Sequence, residues 1–451
     1  MLDFDDFVGE FDHVIDIWSG GQLTLQEAIE NADDELLFEF IETLFLITKY
    51  YFSTGSSQES PFSFTANSAL SGLDTPCASI DCRLLKIDQM LSFTSLYADE
   101  VFLRNPFESL YKICQSSGVI PKVRVELLAN LKIYRALCPY FKVGIIKYAN
   151  STHSFCHDYI NNVLEPYKDK LYRNESRLYD ALEKHFLSRV TASYDEYGVD
   201  KGHLILKGPS NLIEHREMYL HIYENKGKYI DDMRMRGLPY KISTDGIRNE
   251  GILKLLLEPL LDDITFHNWH SKFYGTNLLT NDDLQFNILN KINVNAINTE
   301  VLTNPFKYNL TVAENTTPET VIELRQANEE YFDIYRERTK QFLGTIKGLN
   351  AKEQEEAFAD LVRSEIAHID RNLRAHKEKY LSKGRQNIVF GAGIITVGSY
   401  LGIIPTDMAS LIATVGGTAA LSSSATDFNQ LLQPDSVAKN NDFYFLWKLQ
   451  K

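Results

Sequence analysis

The sequence predicts a mainly helical α+β fold, and two observations lead to that prediction. Apolar residues recur at helical spacing over most of the chain, whereas β-branched and aromatic runs are few and short. Long helical patterns and one strongly apolar segment are concentrated at the C-terminal end. We divide the chain into a helix-dominated mixed domain (1–150), an α+β middle region (151–316) and a C-terminal region (317–451) that holds a long helix pair, an apolar hairpin and an aromatic tail.

The first 150 residues alternate helices with short strands. A helical stripe, Leu36, Leu37, Phe40, Ile41, Leu44 and Phe45, precedes a Ser/Gly/Pro-rich loop at 53–61. Helices are predicted over Arg83–Tyr97 and Leu127–Leu137. Strands are predicted at Glu100–Leu103, ended by Asn105-Pro106, and at Val143–Ile146.

The middle region mixes one long helix with a strand pair. Spaced apolar residues predict a polar helix over 153–190, and Val190–Tyr197 and His203–Leu206 are predicted to pair as strands. A Gly-, Lys- and Arg-rich stretch over 223–244 predicts a loop or a short hairpin. The run Ile252–Leu261 contains two charges and predicts a buried helix.

Two long antiparallel helices are predicted after residue 316. Thr317-Pro318-Glu319 is typical of a helix start, with a hydroxyl cap, a proline at the first position and a carboxylate in the first turn. The second helix has apolar or aromatic residues at steps of three and four, which is coiled-coil spacing. Those residues are Phe358, Val362, Ile366, Ile369, Leu373, His376 and Tyr380.

An apolar helical hairpin is predicted over 388–421, where Asp407 is the one charged residue and Pro405 marks the turn. Small residues four apart would let the two helices approach closely: Gly398, Gly402, Ala409, Ala413 and Gly417. The hairpin either inserts into a membrane or is buried in the protein or in an oligomer interface. Its first half, about 26 Å long, would barely cross a bilayer core of about 30 Å, which favours burial.

Composition limits the function. The chain has 451 residues, with 46 Lys and Arg against 61 Asp and Glu, so its net charge is −15. An acidic surface repels phosphate and does not favour nucleic-acid binding. The chain has five cysteines without repeated C-x-x-C spacing, and its N-terminus is acidic, so the sequence predicts a cytoplasmic protein. The apolar hairpin could also associate this protein with a membrane.

One short motif suggests RNA cleavage. Arg371, Asn372 and His376 resemble the Arg-polar-x3-His motif of HEPN ribonucleases, which cleave RNA without a metal, and the resemblance implies that these residues form the site. On a continuous helix, however, Arg371 and His376 lie about 140° apart. Arg363 and His368 repeat the spacing, so a packed histidine in the helix seam is the alternative interpretation.

Two other clusters suggest a metal. His153, Cys156 and His157 share one helical face and could bind zinc, although no fourth ligand is nearby. Packing is the alternative interpretation for these three residues.

A second metal hypothesis concerns Glu224-x-Lys226. This pair resembles half of a metal-dependent nuclease core, for which Asp195 could supply the other carboxylate, whereas Asn225 and Gly227 favour a hairpin tip.

The sequence indicates no cofactor. It contains no GxxxxGK[ST], GxGxxG, HExxH or GxSxG motif, which argues against nucleotide-driven motors, Rossmann oxidoreductases and α/β-hydrolases.

Three segments resemble large uncharacterised bacterial proteins: Leu96–Val101 with Asn105-Pro106-Phe107, Pro318–Arg336 and Phe443–Leu449. The resemblance implies a prokaryotic, intracellular protein that belongs to a multi-gene system such as anti-phage defence, and it assigns no residue a role.

The sequence therefore predicts a non-catalytic subunit that acts by binding a protein partner or a second copy of itself. The motivation is a long apolar surface without a complete catalytic set. A membrane-perturbing effector that inserts the 388–421 hairpin and a HEPN-like ribonuclease are the alternatives.

Overall fold

A computed structural model describes most of the first 290 residues and parts of the remainder. The described residues are 4–20, 24–52, 62–74, 79–150, 177–198, 201–209, 212–213, 216–222, 235–274, 276–282, 284–285, 288, 311–313, 318–327, 329–345, 357, 360–361, 364, 388–390 and 395–397.

Three helices open the chain: α1 (Phe4–Ser19), α2 (Leu25–Asn31) and α3 (Asp34–Tyr51). Each of the last two begins at a side-chain cap. Thr24 and Glu27 form a reciprocal capping box, and Asp33 accepts a 2.8 Å hydrogen bond from the Leu36 amide. The predicted apolar stripe lies on α3 and is buried except at Leu36.

Three strand–helix units follow. β1 (Ser63–Ala66) leads to α4 (Ile80–Tyr97), β2 (Glu100–Arg104) leads to α5 (Pro106–Ser117), and α6 (Pro121–Lys142) precedes β3 (Ile146–Ala149). The predicted strand at 100–103 and the helices over 83–97 and 127–137 are confirmed. The other strand begins three residues later than predicted, because Gly144 adopts φ 72° in the turn that closes α6.

These strands form a five-stranded sheet whose order is β11-β8-β1-β2-β3, with β8 at Asn277–Thr280 and β11 at Ile395–Val397. β8, β1, β2 and β3 run parallel, and β11 pairs antiparallel with β8. Successive residues of β2 pack on opposite sides. Val101 and Leu103 join the core of the N-terminal helices, whereas Phe102 contacts Phe266 on the other side. Helices therefore cover both faces, as parallel sheets require.

A second sheet is inserted between β3 and β8. It contains β4 (Thr191–Gly198), β5 (Lys201–Lys207), β6 (Glu217–Ile222) and β7 (Tyr240–Ile242), all antiparallel in the order β6-β5-β4-β7. The predicted pairing of β4 with β5 is confirmed. Helix α7 (residues 177–187), α8 (Thr244–Asn249) and α9 (Lys254–Tyr274) share the apolar core of this sheet.

The last described elements are β9 (Thr311–Ala313), α10 (Pro318–Ala327), α11 (Glu329–Thr345) and β10 (Ile388–Phe390), which pairs with β9. The predicted helix after Thr317 is helical at its described residues, which form α10 and α11, and Asn328 between them lies outside the described residues. Of the predicted partner helix, residues 357, 360, 361 and 364 are helical, and its seam lies outside the described residues.

The prediction of a helix over the first half of the apolar hairpin is wrong at six residues. Ile388–Phe390 and Ile395–Val397 are strands, since isoleucine, valine and threonine favour extended backbone and the intervening glycines disfavour a helix. The rest of 388–421 lies outside the described residues. The helix-dominated α+β class is confirmed, whereas the division at residues 150 and 316 stays a prediction.

Candidate functional site

An asparagine directly follows each parallel strand of the central sheet. Asn67 follows β1, Asn105 follows β2, Asn150 follows β3 and Asn281 follows β8. The first three of these side chains are buried. Because parallel strands end at the same edge, the four asparagines mark the carboxyl edge of the sheet.

The strand order reverses between β1 and β8 at this edge. From β1 the chain continues to β2 and then β3 on one side, and later returns to place β8 on the other side of β1. Connections that leave neighbouring strands in opposite directions open a crevice above the strand ends, where open α/β sheets bind their ligands. The edge between β1 and β8 is therefore the candidate site.

Asn67 joins the two strands that flank this reversal. Its Nδ2 donates to Thr280 Oγ1 at 2.9 Å and to Asn281 Oδ1 at 3.2 Å. Its Oδ1 accepts from the Leu70 amide at 2.9 Å and shapes the turn after β1. The ends of β1 and β8 are thus held together by side chains as well as by the sheet.

Ser68, Asp263 and Arg104 form a charged cluster beside Asn67. The Ser68 amide donates to both carboxylate oxygens of Asp263 at 2.9 and 3.0 Å, and the Ser68 hydroxyl donates to Oδ1 at 2.5 Å. Arg104 Nη1 donates to Ser68 Oγ at 2.9 Å and to Asp263 Oδ1 at 3.2 Å. Three segments meet here: the turn after β1, the last residue of β2, and α9.

Burial dominates the electrostatics of Asp263. Its side chain is 6% exposed, and burial raises the pKa of its carboxyl group, although Arg104 and the Ser68 hydrogen bonds favour the ionised form. Asp263 therefore takes up a proton more readily than an exposed aspartate does.

Arg104 keeps one edge of its guanidinium group uncommitted. Its described hydrogen bonds use Nη1, and no described residue bonds to Nε or Nη2. The side chain is 23% exposed and lies over the ring of Phe266 at 4.8 Å. The Nε and Nη2 edge of an arginine fits a carboxylate or phosphate group in a bidentate manner.

A second polar group lies at the ends of β2 and β3. Asn105 Nδ2 donates to Thr48 Oγ1 at 2.7 Å and to Asn150 Oδ1 at 2.6 Å, while Asn105 Oδ1 caps α5 by accepting from the Phe107 amide. The cap fixes the orientation of the Asn105 amide, which in turn fixes that of Asn150. Nδ2 of Asn150 is buried, and no hydrogen-bond partner for it lies among the described residues.

A buried ion pair between Arg83 and Glu126 holds the turn after β1 in place. Arg83 Nε donates to the Gly72 carbonyl at 2.7 Å, and Nη1 pairs with Glu126 Oε2 at 2.9 Å. Arg83 Nη2 also donates to Asn130 Oδ1. Burial raises the pKa of Glu126 despite Arg83. The turn that presents Ser68 is thereby tied to α4 and α6.

The candidates from the sequence lie elsewhere. Arg371, Asn372 and His376 lie outside the described residues, as do His153, Cys156 and His157, and so do the small residues of the hairpin, Gly398, Gly402, Ala409, Ala413 and Gly417. Asp195 lies on β4, opposite His203 of β5, whereas Glu224 and Lys226 lie outside. Within the described part of the chain, no group of three or more His, Cys, Asp and Glu residues could hold a metal ion.

Sequence reasoning did not identify the carboxyl-edge residues. Ser68, Arg104 and Asp263 are far apart in the chain, and no motif connects them. The sequence does contain one signal for this edge of the sheet. An asparagine follows each of these short apolar runs, as in Phe-Leu-Arg-Asn at 102–105 and Leu-Leu-Thr-Asn at 278–281.

No protein-family model, curated protein or solved structure matches the chain.

Among the described residues, no helix combines the length and the apolar character that a membrane span needs.

Proposed function

We propose that the chain binds a nucleotide, most simply a dinucleotide, at the carboxyl edge between β1 and β8. The observation that supports this proposal is the reversal of strand order directly above the cluster of Ser68, Arg104 and Asp263. The parallel strands follow the order β3-β2-β1-β8, which corresponds to the first four strands of the doubly wound order that binds dinucleotides at its switch point.

The proposal concerns binding and not hydride transfer. The turn after β1, Asn67-Ser68-Ala69-Leu70-Ser71-Gly72, has one glycine, at its last position, and lacks the spaced glycines that let a backbone approach a pyrophosphate. The absent GxGxxG motif therefore still argues against a Rossmann oxidoreductase. In this chain Arg104 supplies the positive charge for the ligand.

Titration calorimetry of the full chain with NAD⁺ and with ATP tests the site. Asn281 follows β8 and is partly exposed, so Asn281→Trp would place a large side chain at the proposed site and is expected to weaken binding about tenfold or more. Asn249→Trp, at the exposed end of α8, is the matched control and should bind as the parent chain does. If the parent chain bound neither NAD⁺ nor ATP, the proposal would be refuted.

We also propose that the chain acts by association, as a cytoplasmic subunit that binds a second copy or a protein partner within a prokaryotic multi-gene system such as anti-phage defence. Two observations favour association. Helices α1 and α3 expose large apolar side chains, with Ile17 65%, Leu46 53% and Tyr50 62% exposed. The sequence also contains the apolar segment 388–421.

Sedimentation equilibrium of the parent chain and of Gly398→Leu with Gly402→Leu tests this second proposal. We expect a mass above that of one chain and a lower mass for the double variant, because leucine side chains would separate surfaces that small residues bring together. A single-chain mass for both proteins would contradict self-association. Flotation of the parent chain with vesicles would instead favour the membrane-perturbing alternative, and RNA cleavage lost in His376→Ala would favour the HEPN-like one.

A further inference from the structure

The residue at the end of β2 is relevant to the kind of nucleotide that the proposed site would take. In a sheet of this order the carboxyl end of the second strand lies beside the adenosine ribose, where an acidic residue accepts a hydrogen bond from the 2′-hydroxyl or an arginine accommodates a 2′-phosphate. The last residue of β2 in this chain is Arg104. No carboxylate is available at that position of the strand to accept from a ribose hydroxyl.

Arg104 is held in place before any ligand arrives. Its backbone amide donates to Ser71 Oγ at 3.1 Å, its Nη1 is fixed by Ser68 and Asp263, and its guanidinium lies over Phe266. A group fixed in this way loses little conformational entropy when it binds. The Nε and Nη2 edge is directed away from Asp263 by the planar geometry of the guanidinium group.

The charge of the neighbourhood is compatible with a dianion. Asp263 is the carboxylate in contact with Arg104, and Asp262, its neighbour on α9, is the next acidic residue. Burial raises the pKa of both carboxyl groups. A phosphate that approached Arg104 would raise these pKa values further, so that protonation of Asp263 can relieve the repulsion between the two anions.

We propose that Arg104 binds a phosphate monoester on the ribose of the ligand, so that the site selects a 2′-phosphorylated dinucleotide over its unphosphorylated counterpart. This inference rests on the proposed nucleotide site. It names the chemical class of the ligand, which the strand order alone does not.

The test compares NADP⁺ with NAD⁺ by titration calorimetry on the full chain. We expect NADP⁺ to bind about tenfold to a hundredfold more tightly, as charge-assisted bidentate hydrogen bonds provide. Arg104→Gln should abolish this preference and Arg104→Lys should reduce it, because lysine keeps the charge without the planar fork. Arg135→Gln, an exposed position on α6 with the same charge change, should leave the preference intact.

Two results would overturn the inference while leaving the nucleotide site standing. One is equal affinity of the parent chain for NADP⁺ and NAD⁺, and the other is a preference that persists in both Arg104 variants. Failure of the parent chain to bind either dinucleotide would instead refute the proposed function itself, and the inference with it. Far-UV circular dichroism of each variant confirms that the fold is retained.

Discussion

Arg83 on α4 donates a 2.7 Å hydrogen bond to the carbonyl oxygen of Gly72, and through this contact a helix controls the turn that follows β1. The same guanidinium pairs with Glu126 on α6. The turn supplies Ser68 to the carboxyl-edge cluster, so the position of that cluster depends on a buried ion pair on the other side of the turn. Disruption of this ion pair should therefore lower the stability of the protein and displace the carboxyl-edge cluster.

Arg83→Met should destabilise the chain by about 3 to 5 kcal/mol, since it leaves the Glu126 carboxylate buried without its partner. Urea denaturation measures the change. The double variant Arg83→Met with Glu126→Leu removes both charges and should recover much of the loss. A single variant within about 1 kcal/mol of the parent chain would show that the pair contributes little.

Gly72→Ala should destabilise the protein more than Gly20→Ala does. Both glycines have positive φ, at 74° and 64°, so both substitutions introduce backbone strain of about 1 kcal/mol. A Cβ at Gly72 would lie 3.1 Å from Ile87 Cδ1 and 3.2 Å from Ile133 Cδ1, whereas no atom of the described residues lies within 4 Å of a Cβ placed at Gly20. Thermal unfolding of the two variants separates crowding from backbone strain, and equal midpoints would exclude the crowding.

Stability should fall with pH below about 6.5 because of His185. Burial, and secondarily Arg189, lower the pKa of this histidine below its ordinary 6.5, and Nδ1 accepts from Arg189 Nη1 at 2.8 Å. The unfolded chain therefore binds the proton first as the pH falls, and stability is lost from the ordinary pKa downward until the folded-state pKa is reached.

The difference in unfolding free energy between pH 7.5 and pH 5.5, two values chosen about one unit to either side of the ordinary histidine pKa, measures this effect. His185→Leu should reduce the dependence on pH. An unchanged slope in that variant would assign the loss to other groups.

Arg336→Gln should loosen α10 and α11 from the sheet. Arg336 Nη2 donates to Asp99 Oδ2 at 2.6 Å just before β2, and the ion pair is mostly buried, with side chains 17% and 32% exposed. We expect faster amide hydrogen exchange in α10 and α11 than in α1. Arg338→Gln, an exposed position on the same helix, is the control. Equal exchange in the two variants would rule out this role for Arg336.

The sequence predicted those elements whose ends are determined by residues close to them in the chain. Asn105-Pro106 ended β2 as expected, because proline and a capping asparagine act within a few residues, and the same pair also begins α5, which was not predicted. The β4–β5 pair was likewise predicted from its own residues. Where a cap or a hairpin determines the structure, the sequence is sufficient.

Two strands of the central sheet, β1 and β8, were missed because they depend on distant partners. β1 and β8 are four residues long and were not assigned, yet each is held by parallel pairing: β1 to β2 and β8, and β8 to β1. The candidate site was missed for the same reason, since Ser68, Arg104 and Asp263 meet only after the strand order is established. The six described residues of the apolar run at 388–397 show the reverse error, since the strands β10 and β11 were assigned to a helix.

The strand that completes the sheet is synthesised after the four parallel strands that it joins. β11 comes from residues 395–397 and covers the outer edge of β8. During translation the backbone amides and carbonyls of that edge remain open after the four parallel strands have left the ribosome. In that interval a strand from a neighbouring nascent chain could pair with β8 in place of β11. A chaperone that covered β8 until residue 397 emerged would prevent this mispairing when many ribosomes translate the protein close together.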